Sequence, residues 1–316
     1  MRAAVFPGQG SQSVGMGRAL AEGSPAAKAV FEAVDDALGE RLSALIWEGP
    51  SETLTLTENA QPALMAVSLA ATAALEEAGA PPERYAAFVA GHSLGEYSAL
   101  AAAGALSLGT AARLLRLRGQ AMQAATPVGA GAMAAILGLE LGAVEALAAE
   151  AAAAAGEGAV CEAANDNAPG QVVVSGSAAA VEQAIAIAKD KGAKRALPLS
   201  VSAPFHCALM QPAAEAMEAA LAEAAIAAPK VPLIANVAAA PVSDPAEIRA
   251  LLVRQVTGRV RWRESMIRAA EEGVSELVEI GAGKVLSGLA KRIDKRLVGR
   301  SIGAPEDVAA FVEALA

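Results

Sequence analysis

One serine of this sequence lies between two glycines, where an apolar run ends and a helical pattern begins. It is Ser93 in the stretch AGHSLGEY, which matches the pattern G-x-S-x-G. Between a strand and a helix this pattern forms a sharp turn, the nucleophile elbow, in which the serine hydroxyl stands clear of the backbone. The N–H groups of the following helix favour negative charge where an attacked carbonyl becomes an oxyanion. We therefore predict that Ser93 is a nucleophile; the alternative is a serine that only shapes the turn.

A serine hydroxyl needs a base to take its proton, and the usual base is histidine. The sequence contains two histidines. His92 neighbours Ser93, and a side chain next to an elbow serine normally points away from the hydroxyl. His206, in VSAPFHCALM, lies in a proline-containing loop that enters a helix, and we predict that it is the base. The alternative is a half-buried histidine with a satisfied hydrogen bond, and Cys207 beside it is expected to be a small core residue.

The sequence leaves open which group orients this histidine. Several acids lie between Ser93 and His206, and none has a context that singles it out; among them are Glu96, Glu140, Glu162 and Asp166. A dyad in which a neutral carbonyl holds the imidazole fits equally well. The loop PGQGSQ near the start is not a phosphate-binding loop, because no Gly-Lys-Ser/Thr follows it. It can still offer a backbone N–H to an oxyanion.

The apolar patterns indicate which elements position these residues. AAVF and YAAFVAG are typical of buried strands, each followed by a glycine-containing turn, and a helix is predicted from about Pro62. From about Met133 the order strand, helix, strand, strand, helix, strand is the βαββαβ pattern of a ferredoxin-like unit. We therefore predict an α/β fold with a larger domain over residues 1–127 and 199–316, interrupted by a small domain over residues 128–198.

Composition and charge exclude several classes of protein. Of the 316 residues two are cysteines, without a CxxC pair, so we expect neither a disulfide framework nor a zinc site, and a reducing cytoplasm fits best. The apolar N-terminal run breaks at Pro7, too early for a signal peptide, and the charge-free stretch of residues 97–112 is too short to span a membrane. The net charge of −9 argues against general nucleic-acid binding. Residues 251–300 carry eleven Lys and Arg against six Asp and Glu, which suits an acidic partner or simply solvated helix faces.

Six stretches, taken together and in this order, resemble one known family. They are PGQGSQ, GHSLGEYSAL, LRLRGQAMQ, SAPFHCALM, VRQVTGRVRW and EIGAGKVLSGL, and they extend from end to end of the chain. The combination closely resembles the malonyl-CoA:acyl carrier protein transacylase family of fatty acid synthesis, and it is similar to the acyltransferase domains of polyketide synthases. The resemblance implies an α/β-hydrolase-like large domain with a ferredoxin-like insert.

The resemblance also implies a role for each residue of a Ser-His dyad. Ser93 would be the nucleophile and His206 the base. Gln9 and Leu94 would lend their backbone N–H groups to the oxyanion hole. Gln255, in VRQV, would hold the His206 ring through its carbonyl oxygen, which explains why no acid stands out.

Three further residues are implied to contact the acyl group or its cleft. Arg118, in LRLRGQ, would hold the free carboxylate of a malonyl group, and a guanidinium fork suits that task, although spacing alone does not choose it over the other arginines of its helix. Asn165 is implied to line the cleft. Leu94 and Phe205 resemble the malonyl-selective pattern rather than the methylmalonyl-selective one, with simple packing as the alternative.

The activity implied by the resemblance is transfer of a malonyl group from malonyl-CoA to the phosphopantetheine thiol of acyl carrier protein, through a malonyl-serine ester and with ping-pong kinetics. We expect a cytoplasmic monomer with no metal, bound cofactor, nucleic acid or membrane. An acidic carrier protein is expected to dock transiently on the basic segment, at Arg259, Arg261, Lys284, Lys291 and Arg292. The alternatives are a serine thioesterase or hydrolase, a malonyl acyltransferase that serves a polyketide synthase in trans, and a catalytically silent scaffold that binds carrier protein.

Overall fold

The strands form two separate sheets. The computed structural model describes residues 1–315. Its strands are β1 (Arg2–Phe6), β2 (Ala86–Gly91), β3 (Gly131–Leu137), β4 (Cys161–Ala168), β5 (Gln171–Ser177), β6 (Arg195–Pro198), β7 (Leu233–Ala235), β8 (Ala240–Val242), β9 (Glu276–Ile280) and β10 (Val298–Ile302). The larger sheet has the order β10-β9-β1-β2-β7-β8, parallel except for β8, which is antiparallel to β7. The smaller sheet has the order β4-β5-β3-β6 and is antiparallel throughout.

Helices alternate with the strands along the chain. They are α1 (Arg18–Gly23), α2 (Pro25–Leu38), α3 (Leu42–Glu48), α4 (Ser51–Thr55), α5 (Thr57–Glu77), α6 (Pro82–Tyr85), α7 (Gly95–Ala102), α8 (Leu108–Ala124), α9 (Leu141–Ala155), α10 (Ala178–Asp190), α11 (Gln211–Glu223), α12 (Pro245–Thr257), α13 (Trp262–Glu271), α14 (Val285–Ile293) and α15 (Pro305–Glu313), with a single 3₁₀ turn at Ala208–Met210. Within residues 1–315, no helix combines the length and the apolar character needed to cross a bilayer.

Both faces of the larger sheet are buried. Alternate residues of β1 point to opposite faces, as the period of a strand requires. Ala4 and Phe6 belong to one apolar cluster, and Ala3 and Val5 belong to another. A sheet buried on both sides explains why its strands appear in the sequence as continuous apolar runs.

The longest helix begins earlier than the sequence indicates. Helix α5 starts at Thr57, and Pro62, predicted as its beginning, lies inside it. Proline has no N–H to donate to the carbonyl oxygen four residues earlier, here that of Glu58. The Nη1 atom of Arg116 donates to that oxygen at 2.7 Å instead. A side chain from α8 thus satisfies the backbone group that proline leaves free, and the helix continues through it.

The smaller sheet and its two helices form a unit with a separate apolar cluster. The order is β3, α9, β4, β5, α10, β6, as the sequence predicts, and Ile136, Leu147 and Val172 lie in the cluster. Its strand β4 contacts the rest of the chain beside Val260, which accepts from the N–H of Asp166 at 3.0 Å and donates to the carbonyl oxygen of Ala164 at 2.9 Å. The side of β4 is therefore held against the segment between α12 and α13.

Candidate active site

The candidate nucleophile lies at the carboxyl edge of the larger sheet. Gln9 follows β1, Ser93 follows β2 and Asn236 follows β7, and these three strands are neighbours. Because the carboxyl ends of parallel strands meet at one edge, residues far apart in sequence converge there. This edge is therefore where the sequence-predicted residues can meet.

Ser93 occupies a sharp turn that only glycine neighbours allow. Its φ is 55°, in the left-handed region. A Cβ on Gly91 would lie 1.9 Å from the carbonyl carbon of Gly95, and a Cβ on Gly95 would lie 2.3 Å from the carbonyl oxygen of Phe6. Real atoms do not approach so closely, so both glycines of the G-x-S-x-G pattern are sterically required. Such strain is typical of sites where a reactive side chain must be exposed.

The Ser93 hydroxyl contacts the predicted base directly. Its Oγ lies 2.7 Å from Nε2 of His206. The other ring nitrogen, Nδ1, lies 2.8 Å from the backbone carbonyl oxygen of Gln255 and 3.2 Å from that of Gly258. Two carbonyl acceptors fix the proton on Nδ1, which leaves Nε2 free to accept the serine proton. The arrangement is a dyad held by neutral carbonyl groups.

The four acids that the sequence left open have other partners. Asp166 pairs with Arg263 at 2.9 Å, and Glu140 pairs with the same side chain at 3.3 Å. Glu162 is exposed, and Glu96 accepts hydrogen bonds from Asn236 and Gln255. Among residues 1–315, none of them hydrogen-bonds to the His206 ring.

His206 stays neutral in this environment. Burial and, to a smaller extent, the positive charge of Arg118 lower the pKa of its imidazole from the ordinary 6.5 to about 3, against the two backbone hydrogen bonds. A neutral imidazole is the form that accepts a proton. Cys207 beside it is buried, and its thiol pKa is raised to about 11 by burial, which keeps it protonated and supports its prediction as a core residue.

The lowered pKa of His206 predicts how the reactivity of Ser93 depends on pH below neutrality. We expect the rate at which a fluorophosphonate probe labels Ser93 to stay constant as the pH falls from about 8 to about 5, because the imidazole remains neutral there. The probe does not titrate in this range, so the profile reports on the enzyme. An inflection near pH 6.5 would contradict the assignment.

The free energy of unfolding should also decrease as the pH falls below 6.5, since the unfolded chain takes up a proton at His206 that the folded chain does not.

Arg118 points its guanidinium at the nucleophile. The side chain is 1% exposed. Its Nη2 donates to Ser93 Oγ at 3.1 Å and to Oε1 of Gln255 at 2.8 Å, and its Nη1 donates to Oε1 of Gln61 at 2.7 Å. Among the residues described, no carboxylate forms an ion pair with it, and its Nε has no acceptor. A buried cation without a paired anion, next to a nucleophile, is a site for an acidic substrate group.

Two residues that line the same space have backbone N–H groups free to donate. Gln9 and Leu94 both line the cavity at Ser93. Within residues 1–315, no acceptor takes the backbone N–H of either residue. Leu94 caps the N-terminus of α7, where the helix dipole adds to the attraction for negative charge. These groups are available to an oxyanion.

The cavity above the dyad lies between the larger sheet and the smaller one. Its volume is about 320 Å³. Asn165 from β4 and Phe205 beside the histidine line it, as predicted, together with further residues from loops, helices and the smaller sheet: Gly10, Gln12, Gln61, Met122, Met133, Asn167, Val173, Leu199, Ser200 and Val201. Residues 1–315 contain no group of three or more His, Cys, Asp or Glu placed to hold a metal ion.

Sequence reasoning missed several polar residues that shape the site. Asn236 accepts from the N–H of Ser93 at 2.8 Å and donates to the carbonyl oxygen of Gly91 at 2.7 Å, so it braces the turn from both sides. Oδ1 of Asn167 accepts from Nε2 of His92 at 2.8 Å, which holds that ring away from the dyad. Asn236 lies in the strand-like stretch PLIANV and carries no local signal. Only the meeting of β2 and β7 reveals its partner.

Comparison with known proteins agrees with this geometry. A family model described as an acyl transferase domain matches residues 4–296. The malonyl CoA-acyl carrier protein transacylase of Bacillus subtilis is 48% identical over 98% of this chain and 96% of its own length. The chain belongs to the malonyl CoA-acyl carrier protein transacylase family. The transacylase of Escherichia coli strain K12 is 46% identical over 98% of both chains.

Solved structures of the family have the same fold. The acyl-carrier-protein S-malonyltransferase of Bartonella henselae superimposes with a TM-score of 0.95 at 56% identity, over 99% of both chains. A malonyl-transacylase in complex with the holo form of a type II polyketide synthase acyl-carrier protein superimposes with a TM-score of 0.94 at 42% identity, also over 99% of both chains. The resemblance seen in the six sequence stretches is thereby confirmed.

Proposed function

We propose that this chain transfers malonyl groups from malonyl-CoA to acyl carrier protein, for fatty acid synthesis. The observation that carries the proposal is that one oxygen atom, Ser93 Oγ, contacts both Nε2 of His206 and the buried guanidinium of Arg118. The first contact makes a nucleophile, and the second selects an acyl group that ends in a carboxylate. Its relatives are named for the same reaction.

In the first half-reaction the serine takes the acyl group. His206 Nε2 accepts the proton of Ser93 Oγ, and the oxygen attacks the thioester carbonyl carbon of malonyl-CoA. The N–H groups of Gln9 and Leu94 donate to the oxyanion, and Arg118 pairs with the distal carboxylate. The carbon–sulfur bond then breaks, and the CoA sulfur leaves with the proton from His206. The product is a malonyl-serine ester.

In the second half-reaction the carrier thiol takes the malonyl group. His206 accepts the proton of the phosphopantetheine thiol, and the sulfur attacks the ester carbonyl carbon. The carbon–oxygen bond breaks, and Ser93 Oγ regains the proton from His206. Side chains and backbone groups supply every step, so we propose that the enzyme works with its two substrates and without a bound cofactor.

We propose that the two sheets correspond to two domains. The larger sheet with its helices would be the α/β-hydrolase-like domain of residues 1–127 and 199–316, and the smaller sheet would be the ferredoxin-like insert of residues 128–198. The insert's sheet order and its separate apolar cluster support this division. The cavity would then be a cleft between domains, a common position for substrate sites. We further propose a monomer in the cytoplasm, consistent with the two free, buried thiols.

The carrier protein is proposed to dock on α14 and the loop before it. Arg259 and Arg261, named from the sequence, are occupied, because they pair with Glu145 and Glu264. Lys284, Lys291 and Arg292 are exposed and form no ion pair among the residues described. The docking surface is therefore these three residues.

This docking surface contacts two segments of the chain that also contribute residues to the cavity lining. A Cβ on Gly283, beside Lys284, would lie 3.3 Å from Cβ of Ser11, in the loop that carries Gln9. At the other end Arg292 donates to the side chain of Gln171 at 2.8 Å, in the strand β5 that lines the cavity. A carrier protein on these cations could reach the dyad with its prosthetic group.

Reversing the charge of the docking surface should weaken carrier-protein use alone. For the triple variant Lys284→Glu, Lys291→Glu, Arg292→Glu we expect KM for carrier protein to rise by about tenfold or more and its salt dependence to weaken, because long-range attraction is lost. Acylation by malonyl-CoA should be retained. The control is Lys28→Glu with Lys189→Glu, two exposed residues elsewhere. Equal KM values for the triple variant and the control would remove the surface from consideration.

Intact-protein mass spectrometry tests the proposed function. The enzyme is incubated with malonyl-CoA or acetyl-CoA, with and without phosphopantetheinylated carrier protein. A stable adduct formed by malonyl-CoA, and discharged only by carrier protein, would support the transferase. Steady CoA release without carrier protein would mean that water reaches the ester and that the enzyme is a thioesterase or hydrolase. Absence of fluorophosphonate labelling would favour a silent scaffold.

A further inference from the structure

Glu96 is the buried acid that the dyad does not use. It lies in the first turn of α7, three residues after the nucleophile, and is 1% exposed. Its Oε1 accepts from the backbone N–H of Asn236 at 2.6 Å, and its Oε2 accepts from Nε2 of Gln255 in a very short hydrogen bond. Burial raises the pKa of the carboxyl to about 7, and these two donors and the charge of Arg118 oppose the shift. Both neighbours of the carboxylate are donors.

The side chain of Gln255 connects Glu96 to Arg118. Its Nε2 also donates to the carbonyl oxygen of Ser93 at 2.9 Å, and its Oε1 accepts from Nη2 of Arg118 at 2.8 Å. Guanidinium groups only donate hydrogen bonds and carboxylates only accept them. The amide can satisfy both neighbours in one orientation alone, with its oxygen toward the arginine.

On the other side of Arg118, a second amide, that of Gln61, also turns its oxygen toward the guanidinium. Its Nη1 donates to Oε1 of Gln61, whose Nε2 donates to Oγ1 of Thr57 at 3.0 Å. The Thr57 hydroxyl then donates to Oε1 of Gln9, also at 3.0 Å. The guanidinium of Arg118 is therefore held between the amide oxygens of Gln255 and Gln61. Glu96 lies at the end of the hydrogen-bond chain that passes through Gln255.

We propose that Glu96 is a positioning residue for acyl-group selection: it fixes the Gln255 amide so that this amide presents its oxygen to Arg118 and aims the guanidinium at the malonyl carboxylate. The inference rests on the proposed function, since it gives Arg118 the role of carboxylate clamp. The Glu96 carboxylate contacts neither side chain of the dyad; it holds the backbone N–H of Asn236 and the Gln255 amide. Its effect on Arg118 is proposed to pass through Gln255.

Replacing the Glu96 carboxylate with an amide should reverse the orientation of the Gln255 amide. In Glu96→Gln the new oxygen must face the rigid backbone N–H of Asn236, so the new NH₂ group faces Gln255. The Gln255 amide then turns its oxygen toward that NH₂ group and its own NH₂ group toward Arg118. Two donors face each other, and the guanidinium loses an acceptor. Losing a hydrogen bond to a charged group corresponds to roughly 10- to 100-fold in rate.

The test measures acyl-group preference and the state of the elbow separately. Rate constants for acylation of Ser93 by malonyl-CoA and by acetyl-CoA are measured by intact-protein mass spectrometry, and fluorophosphonate labelling reports on the dyad. For Glu96→Gln we expect the malonyl-to-acetyl ratio to fall roughly 10- to 100-fold while labelling is retained. The matched control is Glu279→Gln, another fully buried carboxylate that accepts from backbone N–H groups, those of Leu286 and Ser287. Its ratio should equal that of the wild type.

A second variant keeps the proposal testable if the first does not fold. Glu96→Leu removes the acceptor without presenting a donor, so it should lower the ratio less than Glu96→Gln, although leucine is the larger chemical change. Gln255→Met should lower the ratio as well, and adding Glu96→Gln to it should lower the ratio no further. An unchanged ratio in the position-96 variants, a larger fall with leucine, or additive falls would each overturn the proposal. A wild-type enzyme without malonyl preference would overturn the proposed function itself.

Discussion

Replacing His206 with alanine is expected to slow acylation of Ser93 by malonyl-CoA roughly 10²- to 10⁴-fold. The dyad has no second base, because the Oγ atom contacts this imidazole at 2.7 Å and its other contact, Arg118, only donates. Ser93→Ala should abolish the adduct altogether, since no other atom can form the ester. Stopped-flow or quenched mass spectrometry of the first half-reaction measures both effects, without any contribution from the carrier protein.

The second histidine supplies the control for this experiment. The Nε2 atom of His92 is engaged by Asn167 at 2.8 Å, and its ring lies against Trp262 with centroids 5.7 Å apart. His92→Gln should therefore slow acylation far less than His206→Ala, although both rings are next to the same turn. Equal losses in the two variants would show that the turn, and not proton transfer, had been disturbed.

Replacing Arg118 with alanine should reduce malonyl transfer strongly and leave acetyl transfer comparatively unaffected. Removing one partner of a buried charge pair costs about 2–5 kcal/mol, which corresponds to roughly 30- to 5,000-fold in kcat/KM. Acetyl-CoA has no carboxylate, so it loses no pairing. The measurement is the malonyl-to-acetyl ratio of kcat/KM for the first half-reaction.

Arg113 is the matched control for this prediction. It lies on the same helix α8, but it is exposed and far less constrained. Arg113→Ala should leave the ratio unchanged. If Arg118→Ala lowered malonyl and acetyl transfer equally, the guanidinium would act on the dyad and not on the carboxylate.

The charge of Arg118 also lowers the pKa of His206. Its removal should therefore raise the pH at which Ser93 labelling declines.

Local sequence determined the nucleophile and its turn. Gly91 and Gly95 flank Ser93 at fixed spacing. The atoms that leave no room for a Cβ at these two positions belong to the turn itself and to the end of the adjoining strand β1. The choice of His206 followed from counting, because one of two histidines was excluded by its position. The strands AAVF and YAAFVAG were likewise predictable, since apolar runs buried on both faces stand out from their surroundings.

Local spacing did not choose which arginine faces the nucleophile, or what holds it; only the resemblance of the six stretches implied Arg118. Arg113, Arg116 and Arg118 share one helix, and their roles diverge because different residues of other segments approach them: one is exposed, one replaces the N–H that Pro62 of α5 lacks, and one points to Ser93. A local pattern cannot carry this information, because the hydrogen-bond partners lie 25 or more residues away.

The roles of Glu96, Asn236 and Gln255 were decided by tertiary structure for the same reason. Each is an ordinary polar residue in its own segment, and each becomes buried only where the ends of β2 and β7 meet α12. A buried polar group must find a partner of opposite hydrogen-bonding character, and that partner is fixed by the meeting of strands and helices far apart in sequence. The sequence by itself determined the candidate nucleophile and base; the tertiary structure determined the polar network around them, because hydrogen-bond polarity acts between neighbours in space.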